Sequence, residues 1–79
     1  MEILLFGITR ELVGQNTLTV PPEENLQTVA QLREWLHAHF PAMQKLSSLA
    51  IAVDSEYADD AQEIKPNQEI ALIPPVSGG

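Results

Sequence analysis

The sequence offers few groups able to make or break bonds. None of its 79 residues is a cysteine, which excludes a thiolate nucleophile, a cysteine persulfide, a disulfide scaffold and a thiolate metal site. His37 and His39 stand two apart in a helical pattern. Their side chains therefore face different directions and read as surface histidines, not as a metal pair. Asp59, Asp60 and Glu63 lack the glycine and the ligand spacing of a calcium loop, and read as a solvated acidic turn. There is no glycine-rich phosphate loop, no Walker lysine and no constellation able to catalyse a reaction unaided.

What remains is the final stretch, Pro74-Pro75-Val76-Ser77-Gly78-Gly79. Proline holds φ near −65°, so Pro74-Pro75 is expected to lift the chain off the body in an extended form. Ser77, Gly78 and Gly79 add almost no bulk, and reach ~10 Å when extended. Such a thin arm, with Val76 at its base, fits a channel too narrow for larger residues. Its tip is the α-carboxylate of Gly79, which is ionised at neutral pH and is a poor acyl donor. Chemistry there requires activation, typically adenylation by ATP to a mixed anhydride. Since nothing in this chain can perform it, the chain is expected to act as substrate or carrier. On this reading it binds no cofactor or metal itself, and ATP is used by an activating partner.

The elements that carry this arm fit one domain, taken as residues 1–75 with residues 76–79 as the tail. Four Lys+Arg against eleven Asp+Glu give a net charge of −7. That balance argues against nucleic acid and anionic membranes, and suits a protein partner with a basic docking surface. Met1-Glu2 and the brief apolar run after it make neither a signal peptide nor a membrane span. A cytoplasmic location is expected.

Glu2 to Phe6, bounded by Gly7, reads as a buried strand, and Thr17-Leu18-Thr19-Val20 alternates as a half-buried one. Arg10 to Asn16 between them is expected to form a hairpin turn on Gly14 and Asn16. Thr28 as N-cap, Gln31 three residues on, and Val29, Leu32, Leu36 and Phe40 at helical spacing predict the main helix, stopped by Pro41. Met43, Leu46 and Leu49 predict a short helical turn, and Trp35, off the stripe, is expected at the roll's edge. Ala50 to Val53 reads as a strand and Asp54 to Asp60 as a turn. Ile64 marks a minor strand, and Lys65-Pro66-Asn67 a turn before a last strand, Glu69 to Ile73. The order β-β-α-β-(β)-β predicts an α+β roll.

Side chains alternate across a strand. With Glu2 and Glu69 directed to solvent, Ile3, Leu5, Ile70 and Leu72 turn toward the helix, and Leu4, Phe6, Ala71 and Ile73 turn away. If the first and last strands are neighbours, those four form an outer apolar patch of the kind that marks protein contacts. Arg10, one of few basic residues and just past the first strand, is a further candidate for partner contact.

Leu4-Leu5-Phe6-Gly7, Arg10-Glu11-Leu12-Val13-Gly14, Thr28-Val29 with Leu32-Arg33, and Ala52-Val53 follow in order. Glu69-Ile70-Ala71 and the terminal Pro-Pro-Val-Ser-Gly-Gly complete the series. In these pieces the chain resembles the ubiquitin-like sulfur carriers, in particular the small subunits of molybdopterin synthase. The resemblance implies a β-grasp fold: a mixed sheet covered by one main helix, with a flexible Gly-Gly tail. It also implies a cycle in which an adenylyltransferase related to ubiquitin-activating enzymes adenylates Gly79 and a sulfur donor protein converts it to a thiocarboxylate. The tail then enters the large synthase subunit and delivers sulfur to cyclic pyranopterin monophosphate, within a heterotetramer. Asp54 stands where such carriers often have Asn, and Lys65-Pro66-Asn67-Gln68 where they often have an Asp-Gly turn. Alternatives are a carrier for thiamine thiazole synthesis, a small protein modifier, or a non-covalent interaction module with an inert tail.

Overall fold

A computed structural model describes residues 1–46 and 49–74. Their strands form one five-stranded sheet: β1 (Glu2–Leu5), β2 (Thr17–Thr19), β3 (Ala50–Val53), β4 (Glu56–Ala58) and β5 (Ile70–Ile73). The order is β2-β1-β5-β3-β4, so the first and last strands lie side by side at the centre. They run parallel in the register Leu4↔Ala71, while every other pair is antiparallel. The main helix, α2 (Val29–His39), lies across one face. This mixed sheet under one helix is the expected α+β roll.

The core follows from strand parity. Ile3, Leu5, Ile51, Val53, Ile70 and Leu72 are buried against Val29, Leu32 and Leu36 of α2. Pro41 ends the helix by holding Phe40 at φ −133, and starts a 3₁₀ turn, Pro41–Lys45, that buries Met43. At the head of α2 the Thr28 hydroxyl accepts from the Gln31 N–H at 3.2 Å. The Gln31 side chain reaches back to the Gln27 N–H at 2.7 Å, one residue short of a capping box.

Three local expectations are corrected. The stretch from Arg10 is not a hairpin turn, because Ile8–Val13 form a helix, α1. Leu12 and Val13 pack against the core, and Gly14, at φ 85, ends the helix in the left-handed region. The segment after β3 is not a turn throughout. Asp54 and Ser55, at φ 51 and 70, make a two-residue hairpin turn that returns the chain as β4. Ile64 forms no strand. It plugs the core beside a lone bridge between Thr28 and Glu63, and its N–H donates to the Gln27 carbonyl at 2.9 Å.

Loop 59–63 has structural work of its own. The Asp60 and Gln62 carbonyls accept from the Ala30 and Val29 N–H groups at 3.0 and 2.9 Å, satisfying the exposed first turn of α2. The Asp60 carboxylate also pairs with Arg33 Nε at 3.2 Å, and Arg33 Nη1 donates to the Leu49 carbonyl at 2.8 Å. The acidic stretch thus fastens α2 to the sheet.

Candidate functional site

The face of the sheet opposite α2 carries the strongest unspent surface chemistry. Pairing across the strands aligns Leu4 with Ala71, Ala71 with Ala52, and Ala52 with Tyr57. Phe6 and Ile73 continue the row at the ends of the central parallel pair. The two alanines form a low floor, and Leu4, Phe6, Ile73 and Tyr57 rise around it, enclosing a shallow groove of about 280 Å³. Ser55 and Glu69 supply its polar rim. Phe6 is 47% exposed and Tyr57 77%. Exposed aromatic rings beside aliphatic neighbours are a common feature of contact surfaces.

Leu4, Phe6, Ala71 and Ile73 come together on this face as strand parity requires. Ala52 and Tyr57 join them and were not anticipated. The signal was available, since Ile51 and Val53 face inward and so turn Ala52 outward. Arg10 is exposed on α1 and does not line the groove, because α1 packs against the Pro41–Lys45 turn instead.

Polar contacts fix the backbone at both ends of the groove. Asp54 bridges the β3–β4 turn to the start of β5: its carboxylate accepts from the Glu69 N–H at 3.0 Å and from Gln68 Nε2 at 3.2 Å. Asp54 N–H in turn donates to the Glu69 carbonyl at 2.8 Å. A carboxylate can fill this left-handed position and accept both bonds, which explains how the chain dispenses with asparagine there. At the other end, Phe6 is fixed by Thr9, a buried residue with no counterpart in the sequence-based expectations.

β5 leads from the groove into Pro74, whose ring lies against Gly7. Pro75, Val76, Ser77, Gly78 and Gly79, including the whole expected tail, lie outside the described residues. Among the described residues no group of three or more His, Cys, Asp or Glu side chains could hold a metal ion, and no helix is long and apolar enough to cross a membrane. Trp35 is half-buried and stacks on His39 with ring centroids 4.1 Å apart, away from the groove.

The description "ThiS family" belongs to a family model that matches residues 3–79. The molybdopterin synthase sulfur carrier subunit of Caenorhabditis elegans is 37% identical over 83 residues, spanning 100% of this chain and 96% of that protein. Its counterpart in Arabidopsis thaliana is 35% identical, over 100% of this chain and 82% of that protein. Among solved structures, SAMP1 from Haloferax volcanii superposes with a TM-score of 0.78 at 26% identity, covering 99% of this chain and 97% of that one.

Proposed function

Because the chain belongs to the ThiS family, we propose that it is the sulfur carrier subunit of a molybdopterin synthase. The observation that carries this reading is the continuity of the apolar groove, through Ile73, with Pro74, five residues before Gly79 in the sequence. A partner seated on Leu4, Phe6, Ala71 and Ile73 has the terminal carboxylate delivered beside it.

The cycle follows from the chemistry of that group. An adenylyltransferase partner binds ATP, and the Gly79 carboxylate attacks its α-phosphorus, releasing pyrophosphate and leaving an acyl-adenylate. A sulfide-level donor attacks the carbonyl carbon, AMP leaves, and a thiocarboxylate remains. This sulfur is far more nucleophilic than the oxygen it replaces. In the large subunit's pocket it attacks a carbon of the pterin acceptor and displaces an oxygen substituent from it, and water then cleaves the acyl–sulfur bond, restoring the carboxylate and leaving the sulfur on the pterin. Val76, Ser77 and Gly78 thread the channel to that pocket. The carrier itself binds no cofactor and catalyses no step; it works in the cytoplasm, within a heterotetramer with the large subunit. The relatives' name, carrier subunit of a synthase, and the match along the full chain support this reading.

The test is the intact mass after incubation with a cognate activating enzyme, ATP and a sulfur source. The expected gain equals the replacement of one oxygen by one sulfur, mapped to Gly79 and lost on deleting that residue. An unchanged mass beside a demonstrably active partner would overturn the assignment.

A further inference from the structure

The corner between β1 and α1 holds Thr9, a polar residue at 0% exposure. Its hydroxyl donates to the Phe6 carbonyl at 2.6 Å and accepts from the Phe6 N–H at 3.1 Å. The Thr9 N–H reaches the same carbonyl at 3.2 Å. Both polar groups of Phe6 are therefore spoken for at the point where its ring meets solvent.

Gly7 sits between these two residues at φ 54 and ψ −130, a region that residues with a Cβ enter only under strain. A Cβ built there would also lie 3.1 Å from Pro74 Cγ. Glycine is thus favoured twice over, by the backbone angle and by the tight clearance to the proline. Since Leu5 pairs with Leu72 in parallel register, the corner and Pro74 are the adjoining ends of neighbouring strands.

We propose that Thr9 and Gly7 are positioning residues for sulfur transfer. The Thr9 hydroxyl locks the corner, the corner seats Pro74 against Gly7, and the seated proline sets the direction in which Gly79 is offered to a partner docked on Phe6. This rests on the carrier reading above. The five residues Pro75 to Gly79 span roughly 17 Å at full extension. A shift of the corner changes where the arm leaves the body, and a displacement of ~1 Å at the reacting atoms can slow a reaction as much as 100-fold. A slack corner also widens the set of conformations the partner must exclude on binding.

The experiment uses full-length protein carrying a chemically installed thiocarboxylate, so that no loading enzyme intervenes. Single-turnover sulfur transfer at saturating large subunit, Kd for that subunit, and the NOE between Gly7 Hα and the Pro74 ring are measured together. Thr9→Val keeps the side-chain shape and removes the hydroxyl. It is expected to slow transfer at saturation about tenfold, with Kd held within about threefold and the NOE weakened. Thr9→Ser, which keeps the hydroxyl, should restore the rate to within about twofold. A purely structural threonine would lower Tm and leave the saturated rate alone. A folded Thr9→Val protein with wild-type transfer at saturation, or with an unchanged NOE, overturns the proposal. If Thr9→Val does not fold, Pro74→Ala takes its place and is read by rate alone: the same loss at saturation is expected, and wild-type transfer overturns the proposal. Wild-type transfer separates the two failures: an inactive wild type removes the carrier reading, whereas an active one with an indifferent corner removes only the positioning role.

Discussion

Truncating Phe6 to alanine probes the proposed docking face most directly. The ring is 47% exposed, and Thr9 holds its peptide group in place, so the change removes contact surface while the backbone keeps its anchor. A phenylalanine presents roughly 200 Å² in all, which leaves about 90 Å² for a partner to cover. At ~25 cal/mol per Å², covering it contributes about 2 kcal/mol. That corresponds to roughly 30-fold in Kd. Calorimetric titration of the large synthase subunit with wild-type and Phe6→Ala carriers measures this loss, and thermal scans of both confirm that the variant is folded. The inner part of the ring packs on its own protein, so a modest fall in Tm is expected alongside. A folded Phe6→Ala carrier whose Kd stays within about threefold of wild type would show that no partner covers the ring. The outer face would then have to be given up as the docking surface.

Two further outcomes follow from the packing. Asp54→Ala gives up both carboxylate bonds, to Glu69 N–H and to Gln68 Nε2, and leaves alanine at φ 51. Urea unfolding should show a loss of about 2 kcal/mol, with Asp54→Asn losing about half as much because it keeps an acceptor and tolerates that angle. Leu36→Ala empties a fully buried site beneath the sheet, and should lose about 3 kcal/mol. In a domain this small, a melting point lower by roughly 15 °C is expected by scanning calorimetry.

The sequence carried the roll's frame clearly, because periodicity is a direct consequence of burial. The stripe Val29, Leu32, Leu36 and the alternation in β1 and β5 each report which side faces the core, and those elements stand where the pattern puts them. The groove was half legible for the same reason: Leu4, Phe6, Ala71 and Ile73 share a face once the first and last strands are neighbours. What escaped was decided by contacts between distant segments. α1 forms because Gly7 can turn where other residues cannot and because Thr9 folds back onto Phe6, neither of which leaves a periodic trace. β4 was hidden because its partner is β3 and its turn is Asp54-Ser55, lacking the glycine that usually flags a two-residue hairpin. Ile64 was read as a strand because an isolated buried aliphatic looks the same whether it pairs or merely plugs a gap.

The way loop 59–63 holds the head of α2 bears on how this protein tolerates change. Two of the helix's opening amides are answered by the main-chain oxygens of Asp60 and Gln62, which any amino acid would furnish. Apart from the Asp60 carboxylate on Arg33, a joint of that kind is blind to the spelling of the loop and acutely aware of its count. Point changes there leave the oxygens in place, whereas inserting or removing one residue slides both out of reach and unfastens the helix. Gln62, exposed and clear of the Asp60–Arg33 pair, is therefore a safe place to attach a dye to an altered side chain, and the segment is a poor one to splice in a tag.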